Sequence, residues 1–469
     1  MNAILTVSSL LFPLITFPYI SRILEPEGLG RVSFAISLVS YFTMMSQLGI
    51  PTYGIRAAAR VRDDKEKLSR LTHELLFINT VLGLLSYGAL MTAAVFVPKL
   101  ASDRVLYLVT GAALILDAIG TEWLYKGLEQ YTYITVRSIS FKAVSVIAMF
   151  LLVHSGQDYL IYAAITVFAG YGVNIVNLIN SRKYIDIRPV GGYNPLVHIK
   201  PALVFFAMSC AATVYINLDT VMLGFMTGDK EVGLYHASVR IKQILVSIIT
   251  SLGVVLLPRL SFLLERGENE KFREVCLKAF RFVTAAALPM MLYFMLFARE
   301  SVMFLSGKAY EGSIIPMQII MPTLLFIGLT NIIGMQIFVP YGEERKVLIS
   351  EIAGAVVDVM INLALIPKYG PAGAAVGTLV AEAVVLAVQA YFFRQMAGEE
   401  RYEALRFPGF FKELGVIRIV GALSVAFLLS MAVKLIHMGN FTTLAISGVL
   451  FFGSYGAVFA LTGGLKGLL

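Results

Sequence analysis

The chain has 469 residues, 58% of them hydrophobic and only 14% charged, and its mean hydropathy is +0.79. That balance excludes a soluble domain of this size, and two cysteines exclude a disulfide-built scaffold. A net charge of +8 invites a nucleic-acid reading, but the placement of the charges assigns them to membrane topology instead.

Fourteen apolar runs follow one another, at 3–23, 31–50, 72–97, 104–124, 136–153, 158–180, 200–226, 231–257, 275–297, 317–340, 346–366, 371–393, 414–436 and 441–463. A helix of about 20 apolar residues crosses a hydrocarbon core of ~30 Å. In lipid the backbone must satisfy its polar groups within the segment, and continuous apolar runs do so as helices rather than as alternating barrel strands. The expected fold class is all-α and polytopic, with no hinge long enough to hold a soluble domain. The first run is expected to stay as a transmembrane helix. It is too long for a signal-peptide core, and Ser21-Arg22-Ile23-Leu24 follows it where a cleavage site would need small residues. Met1-Asn2-Ala3 leads straight into it, with no basic stretch before.

The hinges alternate in charge. Of 38 Lys and Arg, 27 fall in the alternate set that holds Arg56 to Arg70, Lys126 to Lys142, Arg182 to Lys200, Arg259 to Arg281, Arg345 and Lys346, Arg394 to Arg418, and Lys466. The opposite set holds 9, and Arg240 and Lys242 lie inside a span. The positive-inside rule makes the basic hinges cytoplasmic, and both termini with them. Cys210 lies within a span and Cys276 near the start of another, so no disulfide is expected.

Catalytic machinery is missing from the pattern. There is no G-x-x-x-x-G-K-[ST] loop to hold ATP phosphates. His73, His154, His198, His236 and His437 include no i, i+4 pair, which argues against a metal site. Neither an enzyme nor a cofactor is expected.

Ionisable residues inside spans are costly and face bundle interiors or wet cavities. Asp219 and Arg240 enter consecutive helices to a similar depth of roughly 13 Å from the outer side. They read either as a structural ion pair or as part of a cavity where Arg240, with Lys242 and Arg22, meets an anionic substrate. Arg240 and Lys242 are two apart on a helix and do not face one cavity together. Asp117 and Lys142 enter neighbouring helices from the cytoplasmic side, as a gate or as a static pair. Glu351, Asp358 and Glu382 have no cation in their own spans, so an ion-coupling role is an expectation for them. Gly373 and Gly377 form a small-x-x-x-small pair that lets helices approach closely. Pro13, Pro18, Pro289 and Pro322 supply bends.

A weak internal repeat opens the second and eighth spans, Leu29-Gly30-Arg31-Val32-Ser33-Phe34-Ala35 and Val232-Gly233-Leu234-Tyr235-His236-Ala237-Ser238. Six helices separate the copies, so they share orientation, which predicts two parallel six-helix lobes. The expected division is 1–182 for the first lobe, 183–199 for a cytoplasmic linker, 200–393 for the second lobe, and 394–469 for a hinge and two additional helices.

Three stretches carry a family resemblance. Pro18-Tyr19-Ile20-Ser21-Arg22-Ile23-Leu24-Glu25-Pro26-Glu27-Gly28-Leu29-Gly30 resembles the opening of the Wzx-type polysaccharide flippases of the multidrug/oligosaccharidyl-lipid/polysaccharide (MOP) superfamily. So do Leu218-Asp219-Thr220-Val221-Met222-Leu223-Gly224, continuing through Glu231-Val232-Gly233-Leu234-Tyr235 to Arg240, and Ile366-Pro367-Lys368-Tyr369-Gly370-Pro371-Ala372-Gly373-Ala374-Ala375-Val376-Gly377-Thr378 with Glu382 beyond it.

The resemblance implies a protein of the bacterial plasma membrane that moves an undecaprenyl-pyrophosphate-linked oligosaccharide between leaflets by alternating access. It also implies membrane lipid and a polysaccharide polymerase with its chain-length machinery as partners, and a proton or sodium ion as coupling species. Arg22, Arg31 and Arg240 would hold the anionic head group, and Tyr19, Tyr41 and Tyr215 could stack on sugar rings. The spans 414–436 and 441–463 are candidates to border a groove for the lipid tail. Alternatives from the same fold are a lipid II or teichoic-acid-precursor flippase, for which fourteen spans speak, and a cation-coupled multidrug antiporter. The antiporter predicts an acidic cavity, and Asp117 is the one well-buried acid of the first half. A membrane-embedded glycan polymerase would need a large outer loop that no hinge supplies.

Overall fold

The computed structural model describes residues 2–406, 414–434, 436 and 438–464. His437 and Lys466, which entered the histidine and charge readings, lie outside them. Among the described residues there is no strand, and the chain separates into two compact units, Met1–Gly233 and Leu234–Leu469.

In the first unit α1 (Asn2–Gln47), α2 (Ile50–Val61), α3 (Lys65–Phe96), α4 (Pro98–Ala101), α5 (Arg104–Ala118), α6 (Glu122–Gly127), α7 (Tyr131–Leu152), α8 (Tyr159–Val167), α9 (Val173–Ser181) and α10 (Leu196–Met226) follow in order. Helix α11 (Asp229–Glu265) starts there and continues into the second unit. The second unit adds α12 (Asn269–Leu296), α13 (Ala298–Leu305), α14 (Ile314–Ile320), α15 (Thr323–Thr330), α16 (Glu344–Tyr369), α17 (Pro371–Ala397), α18 (Val416–Lys434) and α19 (Asn440–Leu461).

Among the described residues the apolar runs lie mostly on helix, as lipid requires. Ten of the described helices are long and apolar enough to cross a membrane, or eleven if Lys308–Ile320 and Thr323–Phe338, which meet at 47°, make one span. Length and composition therefore do not reproduce a count of fourteen. Spans 3–23 and 31–50 share the single helical run of α1, and 104–124 is divided between the 15-residue α5 and the 6-residue α6. The run of α1 is broken at Glu25, with φ 55° and ψ 177°, just before Pro26.

Helix α1 is the axis of the first unit and packs against α3, α5, α7, α8 and α10. Between α1 and α2 the chain turns at Gly49, whose φ of 75° favours glycine, and a Cβ there would lie 2.4 Å from the Phe206 nitrogen of α10. In the second unit α16 and α17 form a tight hairpin. A Cβ on Gly373 would lie 2.6 Å from the Leu365 carbonyl, and one on Gly377 would lie 2.2 Å from Asn362 Oδ1, so the expected close approach is present. The last two helices dock on α12. Tyr293 donates to the Leu444 carbonyl at 2.9 Å, Tyr455 donates to the Ala285 carbonyl at 2.8 Å, and the Lys434 ammonium donates to the Leu296 carbonyl.

Candidate functional site

Two ends and a polar interior can be followed through the first unit. One end holds the basic hinges, and the other holds the break in α1, the α4 turn and the start of α11. At this second end the two copies of the internal repeat meet backbone to backbone. A Cβ on Gly30 would lie 1.7 Å from the Asp229 carbonyl oxygen and 2.8 Å from the Gly233 nitrogen, while one on Gly233 would lie 1.9 Å from the Pro26 carbonyl. No side chain fits at either position.

Charges brace that contact. Asp229 accepts from Lys99 at 2.6 Å and lies 3.8 Å from Arg31, which also binds Glu27 at 2.7 Å. Arg31 stands over the Tyr159 ring at 5.4 Å, and Lys99 over Phe34 at the same distance. Arg31, Phe34, Lys99 and Asp229 rim a small cavity of about 110 Å³. Single half-exposed pairs contribute about 0–1 kcal/mol, and here one carboxylate is shared by two cations from different elements. Lys99 and Asp229 escaped the sequence reading, because nothing local joins residues 130 positions apart.

The interior places Asp117 in a hydrogen bond with Gln47 at 2.7 Å, on the wall of a cavity of about 200 Å³ that also reaches Asn79, Glu122 and Asn174. The Asn79 oxygen is buried with no hydrogen-bond partner among the described residues. Glu122 binds Lys126 at 2.8 Å and Arg137 at 2.9 Å, and the Arg137 side chain is only 4% exposed. Neither Gln47 nor Arg137 was singled out from sequence. Lys142 is half-buried on α7, and the hydrogen bond of Asp117 goes to Gln47 rather than to it. Arg22 is exposed, whereas Asp219 is buried on α10. Tyr19 donates to the Val153 carbonyl at 2.8 Å and packs on Phe150, so its ring is committed to α7. The Tyr41 hydroxyl is buried with no hydrogen-bond partner among the described residues, within electrostatic reach of Asp219, and Tyr215 is half-buried.

In the second unit Arg240 donates to Gln243 at 3.3 Å, and Lys242 is half-buried on the same helix. Asp358 and Glu382 are buried on the facing helices α16 and α17, and Glu351 is half-buried on α16. Asp358 accepts from Asn362 at 3.2 Å, and the Gly377 position brings both polar groups against α17. Tyr235 and Thr378 share a hydrogen bond of 2.7 Å, and Gln389 donates to Ser350 at 3.1 Å. Together these give the second unit a buried polar seam. Among the described residues no group of three His, Cys, Asp or Glu is arranged to hold a metal ion.

Residues 1–264 match the family described as "Polysaccharide biosynthesis protein", and residues 205–364 match the family described as "MatE". A protein of Escherichia coli (strain K12) described as "Putative O-antigen transporter" is 24% identical over 396 residues, covering 84% of this chain and 95% of its own. A protein of Shigella dysenteriae with the same description is 25% identical over 387 residues, covering 80% and 94%. Among solved structures, "Lipid II flippase MurJ, inward closed conformation" is similar with a TM-score of 0.75 at 14% identity, over 98% of each chain. A "multidrug resistance MATE family transporter of the MOP superfamily" in an inward-facing conformation is similar with a TM-score of 0.69 at 16% identity, over 85% of this chain and 95% of its own. At such identities these two likenesses speak to fold. An all-helical, multi-pass membrane protein with a buried polar interior and the MOP transporter fold is the class so defined. The chain belongs to the family described as polysaccharide biosynthesis protein, whose match takes in more than half of its length.

Proposed function

We propose that this protein moves an undecaprenyl-pyrophosphate-linked oligosaccharide from the cytoplasmic to the outer leaflet of a bacterial plasma membrane, with both of its termini on the cytoplasmic side. The observation that carries the reading is the match to O-antigen transporter relatives over nearly their whole length. The physical problem is that a diphosphate and a glycan do not cross ~30 Å of hydrocarbon unaided. A polar, cationic path between helices removes that cost for the head group while the prenyl tail stays in lipid.

Two lobes rock about that path in alternating access. The head group is held by Arg240 and Arg22 with Lys242 nearby, Asp219 balances the charge when the path is empty, and Tyr41 and Tyr215 contact sugar. Asp117 and Lys142 act at the cytoplasmic opening. The Gly30–Gly233 contact, braced by Arg31, Asp229 and Lys99, lies within the first unit and acts as the closure of its outer end, loosening for release. A proton or sodium ion at Asp358 or Glu382, with Glu351 nearby, resets the cycle. Helices α18 and α19 border the tail, and a polysaccharide polymerase takes the product. A lipid II or teichoic-acid-precursor flippase and a cation-coupled antiporter share the fold, and fold alone does not choose a substrate.

Depletion in the native cell tests the reading. Lipid-linked oligosaccharide should accumulate on the cytoplasmic leaflet, shielded from a glycosidase added outside. Unchanged sidedness with heightened sensitivity to cationic drugs would favour the antiporter.

A further inference from the structure

At the basic end of the first unit, α2, α3 and α10 enclose a cleft of about 400 Å³. Its α2 wall follows helical period. Tyr53, Arg56 and Arg60 share one face, while Gly54 and Ala58 on the other are buried, and a Cβ on Gly54 would meet the Trp123 ring at 2.6 Å. From α3 come Lys67, Arg70 and Glu74, and α10 supplies His198 and the Phe205 ring.

Four permanent cations thus face a single carboxylate, and that carboxylate is already engaged. Glu74 accepts from the Asn194 backbone amide at 2.6 Å and pairs with His198 Nε2 at 2.7 Å, while His198 Nδ1 and the Tyr53 hydroxyl are 2.6 Å apart. Lys67 and Arg70 lean on Asp64 and Glu66, which stand outside the cleft, at 2.9 and 3.0 Å. Arg56 lies over the Phe205 ring at 5.1 Å, and Arg60 is exposed. Neither has a carboxylate within ion-pair distance among the described residues. Topology requires cations at a cytoplasmic end. It does not require them on facing walls of one cleft around a Glu–His–Tyr chain whose carboxylate is buried.

We infer that this cleft is an anion site that receives the diphosphate of the lipid-linked substrate on the side from which it enters, before transfer to the interior. The guanidinium forks of Arg56 and Arg60 take the non-bridging oxygens, and Lys67 and Arg70 add field strength. The Tyr53–His198–Glu74 chain fixes the α2 wall against α3 and α10. The inference rests on the flippase reading for the identity of the anion. An anionic phospholipid offers a phosphodiester with a single charge, so the two sources are separable.

The full chain in phosphatidylcholine nanodiscs is titrated with undecaprenyl pyrophosphate, with inorganic pyrophosphate and phosphatidylglycerol as competitors. Trp123 is the single tryptophan and packs on the back of α2, so its fluorescence reports occupancy. Saturable binding that inorganic pyrophosphate displaces and phosphatidylglycerol does not is the expected result. The double variant Arg56→Gln/Arg60→Gln should bind about tenfold more weakly or worse, the loss expected when two charge-assisted contacts go. Arg56→Lys/Arg60→Lys should fall between, and its retained binding shows that the site still folds.

Wild-type affinity in the Gln variant would overturn the inference, and so would equal displacement by phosphatidylglycerol. Because the readout is binding, the two readings fail separately. A wild-type chain that binds here but never moves lipid-linked sugar refutes the flippase and leaves the anion site. A chain that moves it while the Gln variant binds as tightly refutes the site and leaves the flippase.

Discussion

Gly30 and Gly233, equivalent positions in the two copies of the internal repeat, pack so closely that a Cβ on Gly30 would lie 2.8 Å from the Gly233 nitrogen and 1.7 Å from the carbonyl just before it in space, that of Asp229. Contacts this short between a side chain and backbone do not occur, so any larger residue must part the two segments. Gly30→Val and Gly233→Val should each destabilise the closed contact by about 1–3 kcal/mol, the usual range for overpacking. A cysteine placed at Ser102 should label with a membrane-impermeant thiol reagent faster in either variant, and export should fall while membrane insertion is kept. Unchanged labelling and export would remove the outer-closure role.

Asp229 is where two cations converge, yet its side chain is 24% exposed, so solvent screens the network. Asp229→Asn should lower stability by about 1 kcal/mol or less, and Lys99→Gln should add little to it, because both remove the same interaction. A double-mutant cycle on thermal unfolding in detergent measures this. Full additivity would show that the 2.6 Å contact carries no coupling.

The Glu122–Arg137 pair should matter more. Arg137 is almost fully enclosed, and removing the carboxylate leaves its charge without an ionic partner. Glu122→Gln should cost about 3 kcal/mol, near the low end for a broken buried pair since Glu122 itself is 39% exposed. The check is a fall in Tm clearly larger than that of Asp229→Asn. An equal or smaller fall would place Arg137 in a wetter setting than its geometry indicates.

Outside the spans, Glu343 offers a pH-dependent term. Its carboxyl is held below the usual 4.5 by hydrogen bonds from Lys346 and then from Tyr402, at 2.7 and 2.6 Å. A depressed folded value means the stabilisation is complete above the unfolded value and is lost as pH falls through the folded one. The Tm difference between wild type and Glu343→Gln should therefore be present at pH 7 and shrink on acidification below about pH 4. A difference constant over that range would show that the carboxylate charge contributes nothing.

The fold was legible because lipid leaves few choices. Apolar runs must be helices, and among the described residues those read from sequence lie mostly on helix. Their count was less legible, since nothing in the residue pattern says that the chain re-enters helix directly after Glu25, or that the fourth run stops being one helix at Ala118. Single charged residues were visible as anomalies within apolar sequence, so Asp358, Glu382 and Asp219 were found and are buried. Their neighbours were not. Gln47 meets Asp117 across 70 residues and Lys99 meets Asp229 across 130, and no local spacing encodes such approaches. Arg56 and Arg60 were read as ordinary topogenic charge, because only the folding of α3 and α10 against α2 turns a basic hinge into a cleft. The two glycines of the repeat were seen as a pattern, while their mutual contact is tertiary.

Transport of a lipid-linked sugar can be followed in a reconstituted system. Purified protein in sealed proteoliposomes would be given an undecaprenyl-pyrophosphate-linked oligosaccharide confined to the inner leaflet, with an impermeant glycosidase outside. Sugar should become cleavable over time with the wild type and not with Arg240→Ala, although both insert equally. Sugar that stays protected in the presence of folded wild-type protein, with or without a proton or sodium gradient, would contradict that transport.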